Sequence, residues 1–102
     1  MNGLFELGRV IATARVFKYT NENEFFNTFV GFCLTLYISG NWGVLDREDW
    51  QQNDLAVRDG ERILASYPIP FDLRDQVEGE EKIWIITEWD RSTTTILFPD
   101  EY

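Results

Sequence analysis

Lys82-Ile-Trp-Ile-Ile-Thr-Glu-Trp-Asp-Arg-Ser-Thr-Thr-Thr-Ile-Leu-Phe-Pro-Asp-Glu-Tyr102 decides the fold class of this chain. Two runs rich in β-branched and aromatic residues, 82–89 and 92–98, flank Asp90-Arg91. That pattern predicts two antiparallel strands joined by a tight turn. Along the first run Ile83, Ile85, Thr87 and Trp89 point one way, while Trp84, Ile86 and Glu88 point the other. Along the second, Thr94, Ile96 and Phe98 oppose Thr93, Thr95 and Leu97. Both faces of 82–89 are largely apolar, which places that strand centrally, with helices on one side.

Upstream, Arg62–Tyr67 reads as a third strand, stopped by Pro68 and Pro70. Between it and Lys82 lies a loop with Asp72, Asp75, Glu78, Glu80 and Glu81. Asp46–Gly60 reads as a helix. Asp46 caps it, Glu48 and Asp49 suit its N-terminal dipole, Gly60 suits the position after its end, and Asp54 and Arg58 are spaced to pair. A second helix spans 25–38, opened by a capping box at Asn21 and Glu24 and closed at Ser39-Gly40-Asn41. It is apolar on nearly every face, as expected of a helix covered on several sides or buried in a homodimer. Arg9–Phe17 reads as a short strand, although Ala12 and Ala14 would also suit a helix. The expected fold is therefore α+β: a three-stranded antiparallel meander (62–67, 82–89, 92–98) packed by two helices and extended by 9–17.

At 102 residues the chain is expected to form one domain, 1–102, and 44% hydrophobic content suffices for a core. No apolar run is long enough to span a membrane. Met1–Gly8 lacks the basic and apolar regions of a secretory signal. Cys33 is the only cysteine, so no intrachain disulfide forms, and a reducing cytoplasm is the expected setting. The absence of histidine excludes Ser-His-Asp and Cys-His catalysis and His-ligated metal sites.

Net charge is −9. Residues 1–20 hold Arg9, Arg15 and Lys18 against Glu6, whereas 21–102 hold seventeen acids against six bases. Such a chain repels nucleic acid and anionic membranes and suits a basic protein surface. Its carboxylates concentrate at Asp46, Glu48, Asp49, Asp54, Asp59, Glu61, Asp72, Asp75, Glu78, Glu80 and Glu81. Gathered on one face, they would imitate a phosphate backbone and compete for the basic cleft of a nucleic-acid enzyme. The plainer reading is an acidic surface that serves solubility.

Of the tryptophans, Trp50 and Trp84 suit the core, and Trp42, in a turn between Asn41 and Gly43, is the candidate surface anchor. Glu80 and Lys82, with Asp72 or Asp75, have the residue types of a magnesium-dependent nuclease, but Glu80 precedes the strand, where a solvated acidic loop is the simpler account. Glu88, Asp90 and Arg91 cluster at the turn, where Arg91 suits pairing with Glu88 or capping a helix C-terminus.

Gly40-Asn-Trp-Gly43, Asn53–Tyr67 and Lys82–Tyr102 together resemble a small family of bacterial, plasmid and phage proteins of mostly unassigned function. Some of these carry labels tied to type I restriction–modification. Relatives typically show Gly-Asp-Trp-Gly-Asp where this chain has Asn41 and Val44. The resemblance implies a mobile-element setting. A methyltransferase is not implied, since the chain is short and has no glycine-rich cofactor fingerprint. The expected function is a non-enzymatic anti-CRISPR or anti-restriction inhibitor or adaptor without cofactor or metal. The alternatives are a homo-oligomeric accessory protein assembled through 25–38 and, third, the nuclease.

Overall fold

The computed structural model describes residues 3–102. Met1 and Asn2, where the expectation about a leader begins, lie outside them. The elements run β1 (Arg9–Ala12), α1 (Ala14–Glu22), α2 (Glu24–Ile38), α3 (Arg47–Asp59), β2 (Ile63–Pro68), β3 (Lys82–Thr87) and β4 (Thr93–Leu97). Short 3-10 segments cover Phe71–Val77 and Pro99–Glu101. The sheet order is β1-β4-β3-β2. β2, β3 and β4 form the antiparallel meander, with Ile85 opposite both Ala65 and Ile96. β3 is central, as its two apolar faces require. The sheet as a whole is mixed, because β1 joins β4 in parallel and brings Val10 beside Thr94.

Two expectations are corrected near the N-terminus. Arg9–Phe17 is not one strand: only Arg9–Ala12 is extended, and a third helix starts at Ala14. Thr13 makes the switch, its Oγ1 accepting the Val16 N–H at 3.3 Å as an N-cap. Val16 and Tyr19 then fall on one helical face and are buried, whereas in a strand they would point to opposite sides. Asn21 lies inside α1, and the cap of α2 is Asn23, whose Oδ1 accepts from Phe25 and Phe26 N–H, each at 3.0 Å.

α1 and α2 cover one face of the sheet. Phe26, Val30, Cys33 and Tyr37 recur at helical spacing and meet Ile63, Ala65, Ile83, Ile85, Ile96 and Phe98 in the core. A chain of hydroxyls crosses this layer. Thr94 Oγ1 donates to the Leu7 carbonyl at 2.7 Å, so it must accept from Thr87 (2.7 Å), which in turn accepts from the Tyr37 hydroxyl (2.7 Å). Every member is satisfied, which fixes the segment before β1 to the middle of the sheet.

The edge at β2 is closed. Val44 N–H donates to the Ser66 carbonyl at 2.7 Å and Ser66 N–H to that of Trp42 at 3.1 Å. Gly43 makes this approach feasible, with φ +80° and no room for a Cβ against Ser66. Farther along, Asn53 of α3 takes both backbone groups of Leu64, donating to its oxygen at 2.7 Å and accepting from its N–H at 3.2 Å. These contacts occupy the groups through which an exposed edge would pair with another chain.

Candidate functional site

The eleven carboxylates divide by what holds them. Asp46 caps α3, accepting the Asp49 N–H at 2.8 Å. Asp54 accepts the Trp42 indole N–H at 2.9 Å, so it does not pair with Arg58 across the helix. Arg58 instead binds its neighbour Asp59 at 2.8 Å and holds that carboxyl below its usual range. Glu80 pairs with Arg15, which also reaches Asp100 at 3.1 Å and lies over the Phe98 ring. The Glu78 carboxylate lies close enough to the Tyr19 phenol to push it up to about 12.

Glu48, Asp49, Glu61, Asp72, Asp75 and Glu81 make no side-chain hydrogen bond or ion pair among the described residues, and all are exposed. They are spread over α3, the 3-10 segment and the connections at Glu61 and Glu81. Asp49 flanks β2 beside Leu64, and Glu81 flanks it beside Ser66 and Pro68, on the order of 10 Å farther along the strand. Asp72 and Asp75 lie on the 3-10 segment.

Trp42 is not a surface anchor. It is fully buried, edge-on to Tyr37 at 5.6 Å, with its polar end satisfied by Asp54. A large ring that is apolar except for one N–H is best placed this way. Trp50 packs against the core, and Trp84 meets the Tyr102 ring at 5.6 Å. Asn41 Oδ1 accepts the Gly43 N–H at 3.1 Å, a turn contact that an aspartate would make equally well, and Val44 beyond it is exposed.

Arg91 serves structure, by helix capping. Its guanidinium donates to the carbonyls of Ala56 (2.8 Å), Glu61 (2.6 Å) and Glu88 (3.1 Å), tying the end of α3 to the hairpin. Glu80 and Lys82 are not drawn into a carboxylate centre with Asp72 or Asp75. No three such side chains gather to hold a cation among the described residues. Cys33 is buried, which pushes its thiol up to about 12.

The surface feature that sequence reasoning left unplaced is an apolar groove between α2 and the 3-10 segment, with a volume of about 740 Å³. Phe25, Phe29 and Phe32 form its helical wall, and Pro70, Asp72 and Leu73 face them. Phe25 is 69% exposed and Phe32 60% exposed, and Phe71 nearby is 84% exposed. The all-round apolar character of 25–38 was the available signal. One stripe of that helix goes to the core, and the opposite stripe is left open.

No described helix is long and apolar enough to cross a membrane. No protein-family model, curated protein or solved structure matches the chain.

Proposed function

We propose that this chain is a small, acidic, non-enzymatic inhibitor or adaptor of the anti-CRISPR or anti-restriction kind. It acts in the cytoplasm by binding a basic surface of a nucleic-acid-processing defence enzyme. The observation that carries this reading is the set of exposed carboxylates without side-chain partners among the described residues, Glu48, Asp49, Glu61, Asp72, Asp75 and Glu81, on a chain of net charge −9. Carboxylates already bound to arginines have little field left to offer, whereas unpaired ones can steer a cationic partner and pair with it on arrival. The C-terminal motif adds the mobile-element setting by resemblance. Trp42 has no part in the surface, and Asp46, Asp54, Asp59 and Glu80 are already engaged within the fold.

The test is affinity capture of the tagged chain from a host lysate at low and at raised salt, beside the variant Asp72→Asn/Asp75→Asn/Glu81→Gln. Recovery of a basic nuclease or restriction subunit, lost in salt and lost with the variant, supports the reading. Recovery of the chain alone under all conditions contradicts it.

Self-association through α2 is the second reading, favoured by the exposure of Phe25 and Phe32. Sedimentation separates the two, since a stable dimer that hides those rings supports an accessory assembly protein.

A further inference from the structure

The groove between α2 and the 3-10 segment offers a recognition mode that the charge alone does not specify. We infer that it receives an amphipathic helix of the partner, with apolar residues at i, i+4 and i+7 and lysine or arginine along its flanks. This deepens the reading of the chain as a partner-binding protein and rests on it.

Three observations define the occupant. Phe25, Phe29 and Phe32 follow one another at helical spacing over about 10 Å, the length of two turns, and Phe25 and Phe32 stand open to solvent. Burying rings of this size against apolar side chains is the main source of affinity in helix-in-groove binding.

Much of the backbone around the groove is already used. The first free N–H groups of α2, at Phe25 and Phe26, are taken by Asn23. Leu73 N–H donates to the Pro70 carbonyl at 2.9 Å, and Pro70 has no N–H to give. No strand of the sheet borders the site. An extended peptide would therefore lay its own amides against phenyl rings with no ladder to join, whereas a helix arrives with its backbone bonds made.

Charge then chooses between a foreign helix and a second copy. No described residue lining the groove is basic, and Asp72 stands at its rim with Asp75 on the same segment. The base on that segment, Arg74, is committed to the Ile69 carbonyl at 3.0 Å and lies over Phe71. A second copy would bring another net −9 to this rim and no cation to meet Asp72 from its own groove. A cationic helix supplies what the site lacks.

The test uses the full chain and a labelled lysine/leucine peptide of about 14 residues, roughly four helical turns, with leucines at i, i+4 and i+7. Fluorescence anisotropy is compared with the same peptide broken by a central proline and with its glutamate/leucine counterpart. Phe25→Ala/Phe32→Ala is the partner variant, because both side chains are mostly exposed and their loss leaves the core intact. Intact helix binding that falls about tenfold or more with the proline, with glutamate and with the double variant is the expected result, a difference near 1.4 kcal/mol. Equal binding of the proline peptide, no effect of the double variant, or a dimer of the chain alone that this variant dissociates would each overturn the inference. Salt-sensitive capture of a defence enzyme that survives Phe25→Ala/Phe32→Ala defeats the groove and leaves the broader reading standing. Peptide binding without any capture does the reverse.

Discussion

Arg91 shows at the residue scale how a charged side chain at a turn is used for structure. The capping role that its place beside Glu88 and Asp90 suggests is the one it takes, its guanidinium spent on three backbone carbonyls. Its own backbone sits at φ +59°, a region that favours glycine. Two opposed effects therefore meet at one position. Arg91→Ala removes the clamp while keeping a Cβ, and should lower the unfolding free energy by about 2 kcal/mol in urea titration. Arg91→Gly removes the clamp but relieves the backbone, so it should cost measurably less. Equal losses would show that the φ strain carries no weight. Cys33 gives a second residue-level prediction. An unfolded thiol ionises near about 8.5, whereas burial holds the folded one up to about 12. The thiol's contribution is therefore complete below the unfolded value and is lost as pH rises toward the folded one. Burial likewise pushes the Tyr37 and Tyr67 phenols up and adds to the alkaline loss. The urea midpoint should fall between pH 8.5 and 10.5 (roughly the thiol and phenol ranges), and less steeply in Cys33→Ala. In the native chain at neutral pH the thiol should not react with a disulfide reagent.

Elements differ in how much of them local sequence declares. The β3–β4 hairpin and α3 were legible because their signals are local: alternation about Asp90-Arg91, and Asp46 and Gly60 at the two ends of one periodic run. The centrality of β3 followed from apolar residues on both its faces. α1 was not legible, since Val16 and Phe17 favour strands and what decides their conformation is distant. β1 finds its place only against β4, more than eighty residues away, and Thr13 Oγ1 donates to Glu101 at 2.9 Å while capping α1. Thr13→Ala should therefore destabilise by about 1–2 kcal/mol in urea titration, the upper part of the usual range for a lost cap. Thr13→Ser should restore most of it. If Ala is neutral, the hydroxyl does not set the strand-to-helix switch.

Across the whole molecule, charge was legible and its allocation was not. A count of carboxylates cannot tell Asp54, which serves a buried indole, or Glu80, which serves Arg15, from Asp72 and Asp75, which have no side-chain partner among the described residues. That distinction depends on contacts between distant parts of the chain, as does the burial of Trp42, which belongs to the segment that closes β2. The same holds for the groove. The sequence shows an apolar helix, but only the packing of α1, α2 and the sheet reveals that Phe26, Val30, Cys33 and Tyr37 are used and Phe25 and Phe32 are left. The proposed inhibition rests on the unpaired carboxylates, and the groove is a further contact proposed beside them. The most direct measurement is plasmid cleavage by the restriction or CRISPR nuclease recovered with the chain, titrated with purified wild type and with Asp72→Asn/Asp75→Asn/Glu81→Gln. Cleavage should stop with wild type and persist with the variant. Cleavage that proceeds unchanged with both, or is blocked equally by both, would contradict inhibition through the unpaired carboxylates.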